Sequence, residues 1–282
     1  MSKKKDMLLS AGLNDLEADV YLCLLDEDLL TGYKIGKLLG KPTANVYKAI
    51  DSLARKGALM IEDKQKGLCK AVPAVDFFTA AEAAMQRRTK EAQKAFTRAG
   101  KESYDENTYQ LKSVDLTLEK CKKLVLNSKK IVVIDAFPLP LQVLMPPIQK
   151  AIARGVEVYL QVYEPLELAG AHIILPSSFP VVLEYWNSQQ LNLVADGKEY
   201  VLALFNQDLT ETYQATWSRN LYLSCMLHKG FSNEFTITQI MEEIGKPGAL
   251  KSIHEILKNQ SRLSGGEIPG VSELLQRFGL QQ

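Results

Sequence analysis

Lys41, Thr43, Asn45, Tyr47 and Lys48 crowd one short segment, and Lys64 and Lys66 follow soon after. Ammonium groups set this closely suit the phosphates of a nucleic acid, giving affinity and salt dependence but little sequence information. Thr43, Asn45 and Tyr47 add groups that reach base edges or phosphates: an Asn amide pairs with adenine and a Thr methyl touches thymine. The residues that usually carry catalysis are sparse. The three histidines, His172, His228 and His254, stand at no metal-ligand spacing. The four cysteines, Cys23, Cys69, Cys121 and Cys225, form no C-x-x-C pair and read as reduced, mostly buried thiols. Gly265-Gly266 and Gly245-Lys246-Pro247-Gly248 lack the spacing of a phosphate-cradling loop and read as turns.

The elements around the basic segment give it a setting. Leu13, Leu16, Val20 and Leu24 recur at three- and four-residue steps, and Asn14 with Glu17 three residues later reads as a capping box. Thr31 opens a second helix to Leu39, with Ile35, Leu38 and Leu39 on its buried side, and Gly40 stops it. Lys41-Pro42-Thr43 makes a tight turn. A third helix then runs from about Thr43 to Lys56, with Val46, Ile50 and Leu53 on one face. Two short helices joined by a tight turn place the second in a major groove. Residues 58–61 and 68–72 read as strands around a polar turn, a wing whose tip carries Lys64 and Lys66.

Charge follows the same division. Residues 1–30 hold three lysines against seven acids, while residues 31–70 hold nine basic residues against three acids, within a chain of net charge +1. A local basic block beside an acidic one fits a polyanion partner, namely double-stranded DNA. The alternative is a winged helix that docks another protein of the transcription machinery.

The runs Leu9-Ser10-Ala11-Gly12-Leu13, Glu17-Ala18-Asp19-Val20-Tyr21-Leu22 and Val46-Tyr47-x-x-Ile50-x-x-Leu53-x-x-Lys56-Gly57 resemble the TrmB family of regulators. In that family a GL-x-x-x-E-A-x-V-Y-x-x-L opening precedes the helix-turn-helix, and V-Y-x-x-[IL]-x-x-L-x-x-K-G marks the recognition helix and first wing strand. The match covers about the first quarter of the chain. It implies a DNA-binding regulator with a C-terminal effector domain, commonly for sugars.

Residues 76–101 are rich in helix formers and read as a linker helix. Phe78, Ala81, Met85, Ala92, Ala95 and Ala99 fit a heptad seam if Arg88 takes one seam position. That seam pairs two protomers of a homodimer, or the helix lies on its own domain. Past residue 102 the pattern turns α/β. Tyr109–Leu111 reads as a short strand, Val114–Asn127 as a helix, and Lys130–Asp135 as a strand. Phe137–Pro140 reads as a loop, Met145–Arg154 as a helix and Val156–Val162 as a strand. Two more strands flank Asp196-Gly197, a strong hairpin signal. A long helix is expected from about Leu209 through Trp217 to Leu227. The tail from Ser264 is turn-rich and then amphipathic at Val271–Phe278, a face suited to packing on a partner subunit, which the sequence does not decide.

This order of elements resembles the phospholipase-D-like domain found C-terminally in TrmB regulators. The expected architecture is an α+β winged helix-turn-helix (1–75), a linker helix (76–101) and an α/β phospholipase-D-like effector domain (102–282). Phospholipase D chemistry needs a His nucleophile with Lys two residues later. None of the three histidines has one, so a phosphodiester-processing enzyme is disfavoured. Strand ends of α/β sheets open on ligand crevices, which makes Asp135, Phe137, Tyr163 and Glu164 candidate effector contacts. Trp186, beside Tyr185, either stacks on a sugar face or fills a core. No cofactor or metal is expected. No apolar run approaches the ~18 residues of a membrane helix, and no secretory signal is recognisable at the start, so a cytoplasmic protein is expected.

Overall fold

Asn14 and Glu17 start the first long helix as a reciprocal cap. The Asn14 side chain accepts from Glu17 N–H at 2.9 Å, and the Glu17 carboxylate accepts from Asn14 N–H at 2.8 Å. The computed structural model describes residues 3–27, 29–63, 67–96, 105–264 and 268–279. Its contacts divide into two units, Met1–Lys101 and Glu102–Gln282. Lys64 and Lys66 lie outside the described residues.

The first unit runs α1 (Lys3–Ser10), α2 (Asp15–Asp26), β1 (Leu30–Thr31), α3 (Gly32–Leu39), α4 (Thr43–Arg55), β2 (Leu59–Asp63), β3 (Leu68–Ala71) and α5 (Ala74–Phe96). β3 lies between β1 and β2, antiparallel to both. One apolar cluster joins Val20, Tyr21 and Leu24 of α2, Ile35 of α3 and Val46, Ile50 and Leu53 of α4. Leu38, expected inside, is 56% exposed. With Ile35 pointing inward, Gly36 and Leu39 share its face, and Leu38 is turned toward water. Only Phe77 of α5 enters the core, 5.5 Å from the Tyr21 ring. Phe78, Met85 and Arg88 of the heptad reading are exposed, Met85 at 64%.

The second unit runs β4 (Thr108–Gln110), α6 (Val114–Asn127), β5 (Ile131–Ala136), α7 (Pro138–Ala153), β6 (Glu157–Val162), β7 (Ala171–Ile174), α8 (Phe179–Tyr185), β8 (Ser188–Ala195), β9 (Glu199–Asn206), β10 (Thr212–Ser218), α9 (Leu221–Glu243), α10 (Ala249–Ser264) and α11 (Pro269–Arg277). Among the described residues these strands form one mixed sheet, ordered β4-β10-β9-β8-β5-β6-β7, in which β5, β6 and β7 are parallel. Alternation along β5 divides the core. Val132 and Ile134 pack with Leu118, Leu144 and Ile148 of α6 and α7. Ile131 and Val133 pack on the opposite face with Phe235 of α9, Leu263 of α10 and Ile268.

Two sequence expectations need correction here. Phe137–Pro140 is not a loop, because α7 begins at Pro138, where a missing N–H costs nothing in the first helical turn. The helix expected from Leu209 is instead the strand β10, and α9 starts only at Leu221, capped by Asn220. The β-branched and aromatic run Thr212, Tyr213, Thr216, Trp217 favours the strand. The Asp196-Gly197 hairpin forms as expected, with positive φ at both residues (54° and 63°) and Lys198 N–H bonded to Ala195 C=O at 2.9 Å. The tail packs on its own unit: Gly270 N–H donates to Asp196 C=O at 2.8 Å, so close that a Cβ at Gly270 would lie 2.0 Å from Gly197 O.

Candidate functional site

α4 is held by the residues that flank it. Gly40, with φ of 63°, ends α3, and Lys41 N–H returns to Gly36 C=O at 2.9 Å. A Cβ at Gly36 would sit 3.1 Å from Lys41 O, so the turn passes close over α3 where glycine leaves room. Pro42 caps α4 through its backbone, accepting from Asn45 N–H at 3.0 Å and Val46 N–H at 3.2 Å. Val46, Ala49, Ile50 and Leu53 turn inward. The same helical period leaves Asn45, Tyr47 and Lys48 exposed, Thr43 half-buried at the first turn, and Lys41 exposed just before it.

The far end of α4 is anchored by charge. Lys56 Nζ lies 2.7 Å from the buried Glu17 carboxylate and 2.9 Å from Gly12 C=O. Burial pushes the Glu17 carboxyl up, but bonds from Lys56, Ser52 and the Asn14 N–H outweigh it and hold the group below its ordinary value. Tyr21 OH donates to Val72 C=O at 2.8 Å, tying α2 to the residue that follows β3. The Glu, Tyr and Lys of the two sequence motifs thus form the frame that fixes α4.

Tyr47 has a neighbour the sequence did not reveal. A Cβ at Gly32 would meet its ring at 2.7 Å, and one at Gly67 would lie 3.8 Å from its hydroxyl. The ring, 41% exposed, therefore lies across the start of α3 and beside the base of the wing. Glycine at the first position of a helix, where Ser or Ala would serve propensity better, was the available signal.

The structure brings Asp135, Phe137 and Tyr163 together in the second unit. Tyr163 OH donates to Asp135 Oδ1 at 3.0 Å, and the Phe137 and Tyr163 rings meet edge-on with centroids 4.6 Å apart. Glu164 is half-buried and outside this network. Trp186 is 45% exposed and meets Tyr185 at 6.2 Å beyond the end of α8. Sequence reasoning missed the partners that complete the network. Asp135 pairs in register with Gln161 of β6 and Asn192 of β8, a polar rung crossing the sheet on the α9 side. Asn192 donates to Asp135 Oδ2 at 3.1 Å, Gln190 donates to the same oxygen, and Gln161 donates to Tyr163 OH at 3.0 Å and to Glu234 at 3.2 Å. A Gln inside an otherwise apolar strand, Tyr159-Leu160-Gln161-Val162, was the signal. Burial pushes the Asp135 carboxyl up to about 6, with bonds from Asn192, Tyr163 and Gln161 opposing it and the Glu234 charge adding to it. The histidines lie on separate elements: His172 stacks on Tyr159, buried His228 meets Leu263 C=O at 2.8 Å, and His254 is exposed on α10.

A capped α2, a tight α3–α4 turn, an outward-facing α4 and a β-hairpin backing define a winged helix-turn-helix of the DNA-reading kind. Residues 8–75, about a quarter of the chain, match the family model described as sugar-specific transcriptional regulator TrmB. YrhO of Bacillus subtilis (strain 168), an uncharacterized protein, is 22% identical over 239 residues, covering 84% of this chain and 86% of its own. A solved structure of TrmBL2, described as an archaeal chromatin protein with a novel mode of DNA binding, is 16% identical at a TM-score of 0.36, covering 83% of this chain and 97% of that one. The C-terminal region is similar to Nuc from Salmonella typhimurium, a phospholipase D family member. That match is 14% identical at a TM-score of 0.33, covering 45% of this chain and 93% of that one. Among the described residues no helix is long and apolar enough to cross a membrane.

Proposed function

We propose that this protein is a homodimeric transcription regulator that reads double-stranded DNA with α4 and works in the cytoplasm, where a small-molecule effector bound to the C-terminal domain alters DNA affinity. The observation that carries the DNA half is the shared solvent face of Lys41, Thr43, Asn45, Tyr47 and Lys48, held rigid by the Glu17–Lys56 pair. Lys64 and Lys66 add phosphate contacts from the wing tip in this reading. The family's description supports a sugar as the effector class. Asp135, Phe137, Tyr163, Glu164 and Trp186 are its candidate contacts. The exposed side of α5, with Phe78 and Met85, supports pairing between protomers, which sets two recognition helices about 34 Å apart for successive half-sites. The domains divide at 1–75, 76–101 and 102–282 in this account.

Footprinting of the full chain on its own upstream DNA at 50 and 200 mM salt tests the reading. A discrete footprint that weakens steeply with salt is expected. Absence of any footprint at low salt, with a protein partner captured instead, turns the winged helix into a docking module.

A further inference from the structure

A cleft of about 670 Å³ opens beside the Asp196 turn, on the side of the second unit away from the Asp135 network. Its volume is that of a small-molecule site, but its lining is strongly charged. Lys120 and Lys123 enter from α6, Lys129 from the approach to β5, Lys198 from the hairpin and Arg219 from the segment between β10 and α9. Four carboxylates line it too, and each is already engaged. Asp196 accepts from the backbone N–H groups of residues 129, 130 and 131 at 2.8 to 2.9 Å. Glu199 accepts from Trp217 Nε1 at 2.6 Å and faces Arg219 at 3.4 Å and Lys120 at 3.8 Å. Glu273 pairs with Lys198 at 2.5 Å, and Asp105 accepts from Tyr109 OH at 2.5 Å.

The cations are left in excess. Lys123 and Lys129 make no ion pair with the described residues, and Lys120 shares its one carboxylate with Arg219. Lys120 Nζ sits 3.3 Å from the Trp217 ring centroid, a packed ammonium rather than a waving one. Burial holds this group below its ordinary value. Glu199 opposes that shift, and the charges of Arg219 and Lys123 deepen it. An anion seated among the three would relieve their mutual repulsion.

We propose that this cleft binds a small phosphorylated metabolite whose phosphate group is held by Lys120, Lys123, Lys129 and Arg219. A compact dianion needs several donors at once, which this group supplies. A nucleic-acid backbone fits poorly, because the cations are gathered in one cleft of about 670 Å³, which takes a single small anion rather than a run of phosphates. The inference goes beyond the DNA reading and does not rest on it, since it is measured on protein alone.

Titration calorimetry of the full chain at constant ionic strength, with inorganic phosphate, glucose 6-phosphate and glucose as separate probes, tests the site. Saturable binding of a phosphate-bearing probe is expected, and glucose should not displace it. Equal affinity for the two phosphate probes identifies the free ion as sufficient, and tighter binding of glucose 6-phosphate shows that the organic part is read as well. Lys123→Ala with Lys129→Ala, both at exposed positions, should weaken binding at least about tenfold, the usual effect of losing a charge-assisted contact. Lys150→Ala, on α7 and outside the cleft, should leave it unchanged. No saturable binding to the wild-type chain, or equal binding by the double variant with an unaltered unfolding transition, overturns the proposal. So does displacement of bound phosphate by non-specific duplex DNA.

Discussion

On α4, Asn45 and Lys48 stand exposed and make no side-chain hydrogen bond or ion pair with the described residues, whereas on β5, β6 and β8 the side chains of Asp135, Gln161 and Asn192 are bonded to one another. Both sets are polar residues inside regular elements, yet they answer to different demands. A buried polar group must find its partner within the fold or lose the bonds it made to water. An exposed one keeps water as partner and can exchange it for a ligand. Substitution should therefore damage stability in the sheet and recognition on the helix.

A graded series of substitutions separates the two demands. Leu53→Ala, on the inward face of α4 and fully buried, should cost about 2 to 5 kcal/mol of stability in urea unfolding. A much smaller loss would mean that α4 is not seated on its core. Asp135 should give a pH signature. The unfolded carboxyl releases its proton near pH 4 and the folded one near 6, so the folded chain holds more protons between these values. Stability should fall as pH rises from 4 to 6, by up to about 3 kcal/mol, and this group should contribute no further change above that window. Urea unfolding at pH 4, 5 and 6 reads the slope, and Asp135→Asn should flatten it; an equal slope in the variant removes Asp135 as its source. Asn192→Leu, which takes one donor from the buried carboxylate, should cost about 1 to 3 kcal/mol at pH 7. Asn45→Ala and Lys48→Ala should each change stability by less than about 0.5 kcal/mol. A larger effect from either would show that the outer side of α4 also serves the fold.

Legibility in the sequence followed how local the physics is. Asn14 and Glu17 cap α2 through residues three apart, and Asp196-Gly197 makes its turn from two neighbours, so both could be read directly. The period of Val46, Ile50 and Leu53 separated the inner and outer sides of α4 for the same reason. The rung Gln161–Asp135–Asn192 depends on strand register, which joins residues far apart in the chain and is settled only when the sheet assembles. Trp217 went astray because Leu209 to Leu227 carries apolar residues at helical intervals. The cross-strand pairing of Trp217 with Val201 and Tyr109 decides for a strand. The ring of Tyr47 against Gly32 was likewise hidden, since a contact between two helices leaves no periodic mark.

The proposed function stands or falls with the grip of the outer side of α4 on DNA. A mobility-shift titration of the full chain against its footprinted duplex, repeated across salt concentrations for wild type and for Asn45→Ala with Lys48→Ala, meets it head-on. The folded double variant should lose specific binding, and its residual salt dependence should be shallower by about one counterion for the lost lysine. Wild-type affinity and an unchanged salt slope in that variant would contradict it.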